Sequence, residues 1–390
     1  MRGPTSPRAE RQEGSAPGGA AAVDDAPPLA AQPSVSAVSV SAVVVSYNGG
    51  ERILNTLQAL HDQAVPLAGV TVVDNHSDDG TPERIRERFP AVTVLGMGGN
   101  VGLPAARNAG LRHATTDLVL MMDHDVYVDA ECVERLVRRY QDGRPTVVCP
   151  RVRLIPERAV VQADGAETHF VGTMVLRHAY RPAAELPVAA APVGGCIGAC
   201  MLIDRARALA AGGFDELYFF YFEDHEFGLR MRSFGHRVVC EPTAVVYHDR
   251  GSGTPGLAFR GRGAYPARRA YITIRNRVLT LLIHFRLRTL LVLAPPLVLY
   301  ELASVAMAVR QGHGWQWVRA WGWLAANART VWHRRRRVQR ARALRDRDLL
   351  IGGPLPLAPG LIRSPAAGAA VRVFSGALDA YWRVARRWVG

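Results

Sequence analysis

Three short apolar runs in the first third of the chain each stop against a polar cluster, and that repeated arrest limits the possible folds. Residues 43–45 (Val-Val-Val) end at Ser46-Tyr47-Asn48-Gly49-Gly50, and residues 70–73 end at Asp74-Asn75-His76-Ser77-Asp78-Asp79-Gly80. Residues 118–122 run directly into Asp123-His124-Asp125. A fourth run, residues 92–95, opens onto a glycine-rich turn. Between the runs lie helical patterns: Ile53, Leu54, Leu57 and Leu60, then a helix opened by Thr81-Pro82, then residues 104–114. Alternation of this kind predicts an α/β domain. Runs that are continuously apolar, rather than apolar at every second residue, predict a mostly parallel, Rossmann-like central sheet with helices on both faces. Such sheets bind ligands outside the carboxyl ends of their strands, so Ser46, Asp74 and Asp123 are expected to meet in one crevice.

Asp123 and Asp125 carry the sharpest chemistry. Residues two apart in an extended segment point the same way, so their carboxylates face one cation, directly or through water. Oxygen ligands favour a hard divalent ion, Mg²⁺ or Mn²⁺, over zinc. Asp74 has two readings: it accepts from a base or ribose, or it forms an Asx-turn within its own loop. Residues 96–102 (Gly-Met-Gly-Gly-Asn-Val-Gly) lack the third glycine of a dinucleotide fingerprint. They predict a mobile turn whose backbone approaches a ligand, with Arg107 and Asn108 soon after. The last cluster, Tyr221-Phe222-Glu223-Asp224-His225-Glu226, opens a helix expected to reach Phe234. Asp224 lies on its inward stripe with Phe227, while Glu226 is expected to pair outward with Arg230 at i,i+4. An acid at a helix N-terminus is held ionised by the dipole, and Asp224 reads either as a cap or as a general base.

Charge separates front from back. Lysine is absent, and the 48 basic residues are all arginine, giving a net charge of +14 over 390 residues. Residues 1–254 hold 24 Arg against 30 acids, and residues 255–390 hold 24 Arg against 4. The basic back predicts a polyanionic partner, lipid headgroups or nucleic acid. A hydrophobic content of 48% excludes a wholly disordered chain. Five scattered cysteines make neither a disulfide framework nor a zinc site and read as buried thiols.

Residues 289–309 form an apolar 21-mer with one charge, Glu301, and two prolines, Pro295 and Pro296. At about 1.5 Å per residue it is long enough to cross a bilayer. Arginines flank both ends, however, so a single span would put one set on the wrong side. An in-plane or re-entrant helix pair at the cytoplasmic leaflet is expected instead, with Trp315, Trp317, Trp321, Trp323 and Trp332 at headgroup level. The neighbouring apolar stretch and the acidic front argue against nucleic acid.

The strings VVVSYNGG (43–50), VVDNHSDDGT (72–81), NVGLPAARNAGL (100–111), DHD (123–125) and the long segment 198–235 resemble family 2 glycosyltransferases of the GT-A fold, nearest in flavour to the rhamnosyltransferase-like branch. Tyr271 and Arg275-Asn276-Arg277 are similar to a segment that often follows the catalytic domain in that family. The resemblance implies a nucleotide-sugar donor lined by Ser46, Tyr47, Asn48, Asp74, Asn100, Arg107, Asn108 and Asp123. It implies metal ligation by Asp123, Asp125 and His248, and inverting transfer with Asp224 as base and Glu223 as its partner. The acceptor it implies is lipid-linked or a glycan, at an anionic membrane surface inside the cell. The expected organisation is a disordered tail at 1–37, a GT-A domain at 38–255, a basic, apolar membrane-associating region at 256–345 and an extension at 346–390. A degenerate binding module that retains the fold without turnover is the alternative reading.

Overall fold

The computed structural model describes residues 38–249, 267–356 and 364–390. The expected tail at 1–37 and the expected boundary at 255/256 lie outside them. Each apolar run becomes a strand: β1 (Val40–Ser46), β2 (Val70–Asp74), β3 (Thr93–Gly96) and β4 (Leu118–Asp123). Further along come β5 (Val126–Val128), β6 (Val147–Leu154), β7 (Val161–Ala163), β8 (Ala166–His169), β9 (Met174–Leu176), β10 (Ala191–Pro192), β11 (Cys200–Asp204) and β12 (Val238–His248). The large sheet has the order β10-β12-β6-β11-β4-β1-β2-β3, with β5 on β12 and β7 on β6. Neighbours from β3 to β4 are parallel, as are β6 and β12. β11 runs antiparallel between β4 and β6. A continuous apolar run announces burial on both faces but not direction, so the sequence did not mark β11 as reversed.

The reason for the continuous runs is visible in the packing. Val40, Ala42 and Val44 face one core with Ile53, Leu57 and Leu136, while Val43 and Val45 face a second with Ala106, Leu111 and Phe227. Helices α1 (Gly50–His61), α2 (Thr81–Arg88), α3 (Leu103–His113), α4 (Cys132–Gln141), α5 (Arg205–Ala210) and α6 (Glu223–Ser233) cover the two faces. All five cysteines are free and buried.

The remaining helices are α7 (Ala267–His284), α8 (Leu287–Val292), α9 (Ala294–Arg310), α10 (Gly314–Ala326), α11 (Ala328–Ala341) and α12 (Pro365–Ala385). The apolar 21-mer is not one helix. Leu293 closes α8 and caps α9, and Pro295 and Pro296 sit in the first turn of α9, where a missing N–H costs nothing. Among the described residues no helix is long and apolar enough to cross a membrane. The chain end returns to the body: β13 (Leu350–Ile351) pairs with β8, and Trp382 stacks on Phe170 at 5.1 Å.

Candidate functional site

Strand register places the polar stops side by side. Ser46 stands opposite Asp74 on β2, Asp74 opposite Gly96 on β3, and Val45 opposite Asp123 on β4. The loops after β1 and β2 brace each other: Asn48 N–H donates to Ser77 Oγ at 2.9 Å, and Asp78 N–H donates to Asn48 Oδ1 at 3.0 Å. Tyr47 is exposed, whereas the buried Ser46 hydroxyl has no partner. Asp74 is buried and accepts from Ser77 N–H at 3.0 Å and Ser77 Oγ at 2.5 Å, which is the loop-stabilising turn. The glycine-rich turn is tied rather than loose. Asn75 Nδ2 donates to Asn100 Oδ1, and Val101 N–H donates to Asn75 Oδ1.

Arg107 differs from its expected place. It is completely buried and points into the protein, donating to Asp123 Oδ1 at 2.9 Å, Glu223 Oε1 at 3.1 Å and the Gly198 carbonyl at 3.0 Å. Its helix sits close because Gly110 lies flat on β1; a Cβ there would meet Val43 Cγ1 at 2.2 Å. Asn108 is also turned inward, donating to Phe214 O and Glu216 Oε1 and accepting from Phe214 N–H. Neither residue is left with a free fork for a ligand. The physical reason is that α3 must bury this face, and only a bonded Arg or Asn survives burial.

The same arginine draws the acids together. Asp224, one residue past Glu223, accepts Gly198 N–H on Oδ2 and His225 N–H on Oδ1, each at 2.7 Å. Burial pushes the Glu223 carboxyl up, and the neighbouring Asp224 charge adds to it against the pull of Arg107, so Glu223 reaches about 8. Burial also raises Asp224, opposed by Arg107 and by its two backbone N–H bonds. Asp123, Glu223 and Asp224 thus surround one guanidinium, at the strand edge that also carries Ser46 and Asp74.

Asp125 and His248 form a second cluster. His248 ends β12, its Nε2 lies 3.5 Å from Asp125 Oδ1, and its Nδ1 faces Gln162 Oε1 at 2.9 Å. The Gln162 oxygen can only accept, so Nδ1 carries the hydrogen and Nε2 aims at the carboxylate. Burial would raise Asp125, but the His248 charge and hydrogen bond outweigh it and hold the carboxyl at about 2. When His248 is neutral, Nε2 and the carboxylate are two acceptors facing each other, and a divalent ion fits between them in place of the proton that otherwise joins them. Among the described residues no group of three or more His, Cys, Asp or Glu is placed to hold a metal ion, so the expected triad is not gathered: Asp125 and His248 pair with each other, and Asp123 is bonded to Arg107 instead. Such an ion would draw the rest of its coordination from phosphate oxygens.

Comparison with known proteins decides the family. The sequence profile of "Glycosyl transferase family 2" matches residues 41–206. The N-acetylglucosaminyl-diphospho-decaprenol L-rhamnosyltransferase of Mycobacterium tuberculosis is 30% identical over 238 residues, 54% of this chain and 76% of that protein. The chain belongs to glycosyltransferase family 2. Within it, the low-salt glycan biosynthesis hexosyltransferase Agl10 of Haloferax volcanii is 24% identical, over 62% of this chain and 74% of that one. A crystal structure of GalNAc-T7 with UDP, GalNAc and Mn²⁺ matches in fold with a TM-score of 0.51 at 16% identity. That match covers 63% of this glycosyltransferase and about half, 48%, of GalNAc-T7. The fold is GT-A, and the activity class is sugar transfer from a nucleotide-sugar.

A hydrogen-bonded brace from α7 fixes the entry to α6 in this glycosyltransferase. The loop ahead of α6 holds Phe219, Tyr221 and Phe222 at φ of 61°, 58° and 68°, a left-handed backbone that costs non-glycine residues on the order of 1 kcal/mol each. Asn276 of α7, fully buried, donates to the carbonyls of Tyr218, Phe220 and Tyr221 at 2.9, 2.9 and 2.6 Å. Arg275 adds bonds to the Leu217 and Tyr218 carbonyls. An asparagine inside an apolar helix was the available signal, since its burial is tolerable only when it is bonded. The α7 packing also corrects Glu226. It pairs with Arg230 as expected, but inward: both are buried, and His284 Nε2 lies 3.2 Å from Glu226 Oε1.

That burial gives His225 an acid-sensitive share of the fold's stability. Burial pushes His225 down to about 3, reinforced by the His284 charge, so it is neutral in the fold and faces Thr168 Oγ1 at 2.9 Å. A folded pKa below the unfolded value near 6.5 gives stability that is full above 6.5 and lost as pH falls toward 3. Between pH 7.5 and 5 the share of stability lost through His225 is about 2 kcal/mol. The raised Glu223 works in the opposite sense over the same window, so the His225 share is read as the difference in the Tm–pH slope between parent and variant. His225→Gln is expected to flatten that slope. An unchanged slope in the variant assigns the acid sensitivity elsewhere.

Proposed function

We propose that this glycosyltransferase moves a sugar from a dTDP-rhamnose-like or UDP-sugar donor to a hydroxyl of a lipid-linked or polysaccharide acceptor, with inversion, in cell-envelope glycan synthesis. The observation that carries the reading is the Arg107 knot, which ties Asp123 and Glu223, the neighbour of Asp224, to one guanidinium at the edge where Ser46 and Asp74 also end. Tyr47, Asn48, Asp74 and Asn100 would line the nucleotide, while the Ser46 hydroxyl is fully buried beneath the Gly49 turn and supports them from behind. Arg107 and Asn108 act behind that surface, as positioning residues. Asp125 and His248 would hold Mn²⁺ or Mg²⁺, which when bound neutralises charge on the departing diphosphate, with Asp123 kept on the Arg107 side of the site.

The chain's own groups do the rest. Glu223, raised to about 8, keeps its proton at neutral pH, while Arg107 and two backbone N–H bonds favour the carboxylate of Asp224. Asp224 takes the acceptor's hydroxyl proton as that oxygen attacks the anomeric carbon from the face opposite the diphosphate. One base without a second nucleophile gives single displacement. The relative named for a diphospho-decaprenol acceptor supports a lipid-linked substrate here. Leu287, Leu291, Val298, Leu302, Trp315 and Trp332 are exposed on α8 to α11 among arginines, which suits docking at the inner face of an anionic membrane.

The test is transfer by the full chain from dTDP-rhamnose and UDP-sugars to a polyprenyl-diphosphate glycolipid. Chelation is expected to abolish product, and Mn²⁺ or Mg²⁺ to restore it. Full turnover in chelator removes Asp125 and His248 from metal binding. Donor binding without turnover on any acceptor returns the degenerate-module reading.

A further inference from the structure

We infer that a cavity formed by α7, α10 and the loop ahead of α6 binds the phosphate group of the acceptor, an assignment that rests on the lipid-linked reading above. The cavity holds about 390 Å³ and is lined by Phe219, Arg268, Tyr271, Ile272, Arg275 and Arg319. Arg268, Tyr271 and Arg275 recur at three- and four-residue spacing, so α7 presents them on one face. Aromatic rings orient the guanidiniums without neutralising them. Arg268 lies over Phe219 at 5.2 Å, Arg319 over Tyr271 at 5.0 Å, and Arg275 over Trp323 at 4.6 Å. Among the described residues no acid lines the cavity. Glu301 is taken up by Arg277 and the Trp317 and Trp321 indoles, and Asp215 by Arg334.

Three like charges held at one cavity repel each other unless an anion joins them, and guanidinium forks match phosphate oxygens. The donor's diphosphate already has an answer in the Asp125–His248 pair. Three features favour the acceptor. Arg319 shares α10 with exposed Trp315, Val318 and Trp321, an apolar path that a nucleotide does not need and a lipid does. Arg275 anchors the Leu217 and Tyr218 carbonyls of the loop that enters α6. Phe219 stands four residues before Glu223, and its carbonyl accepts Leu103 N–H at 2.8 Å, where α3 begins. An acceptor phosphate seated here leaves its sugar end on the Asp224 side of that loop.

The test measures equilibrium binding of farnesyl diphosphate to the full chain and to the double variant Arg268→Gln, Arg319→Gln. Both residues are exposed, and an unchanged Tm checks the fold. The expected result is affinity for farnesyl diphosphate weakened by about tenfold or more, with UDP or dTDP binding in Mn²⁺ and binding to phosphatidylglycerol vesicles unchanged. The matching double variant to lysine should recover part of the loss, because it keeps the charge and loses only the fork. Unchanged farnesyl diphosphate affinity overturns the proposal. So does a parallel loss of nucleotide binding, which makes the cavity a donor subsite, or a loss confined to vesicles, which makes it a headgroup site. Failure of the parent chain to bind UDP or dTDP would instead strike the donor assignment and leave the farnesyl diphosphate contrast standing.

Discussion

Asp224→Asn is expected to bind nucleotide with near-normal affinity and to transfer sugar about 10²-fold more slowly, or worse. The substitution is nearly isosteric. A correctly oriented amide keeps one carbonyl oxygen to accept from Gly198 or His225 N–H, so the turn into α6 survives while the proton acceptor is gone. Single-turnover rates and nucleotide titrations separate the two effects: kcat falls, and the donor Kd stays within about twofold. A variant that turns over normally removes Asp224 from the role of base. Glu223→Gln should act differently. Glu223 already sits high, so losing its charge changes less at neutral pH, and the variant is expected to be milder than Asp224→Asn.

The parts of this site legible in the sequence were those where chemistry and chain direction coincide. An apolar run that stops at an acid marks a strand end, so the edge holding Ser46, Asp74 and Asp123 followed from periodicity and from the way parallel sheets bind ligands. Direction and depth were less visible. Arg107 looks like a ligand-facing cation because helical spacing cannot tell which face of α3 a later segment will cover, and residues 198 and 223 lie too far along the chain to be paired by eye. Glu226 and Arg230 gave the correct i,i+4 pair and the wrong side, since α7 covers that face with His284, far downstream of Glu226. The apolar 21-mer was long enough for a span by length alone, but two prolines restart the helix at Leu293. Asn276 stands out in the sequence as part of its motif, yet its three carbonyl partners follow only from the positive φ of Phe219, Tyr221 and Phe222.

Arg107→Met is expected to cost about 3–5 kcal/mol of stability, because it removes the one cation shared by a buried acid cluster. Methionine fills much the same volume, so the loss is electrostatic rather than a cavity. Glu223 Oε1, Asp123 Oδ1 and the Gly198 carbonyl lose their donor together. The Arg107 charge also pulls the Glu223 and Asp224 carboxyls down against burial, so both rise further when it is gone. The sign of the pH effect follows. The unfolded carboxyls ionise near 4, and in the variant the folded ones hold protons to higher pH, so its stability deficit is largest at alkaline pH and narrows as pH falls. Transfer should show the same displacement, with the acid limb of its pH–rate profile moved upward because Asp224 ionises later. Arg107→Lys restores the charge but not the fork, and belongs between parent and Met variant in both Tm and pH profile. A Met variant with parental Tm and an unmoved acid limb would mean the acids are held apart from one another by something other than this guanidinium, and the shared site would lose its organising charge.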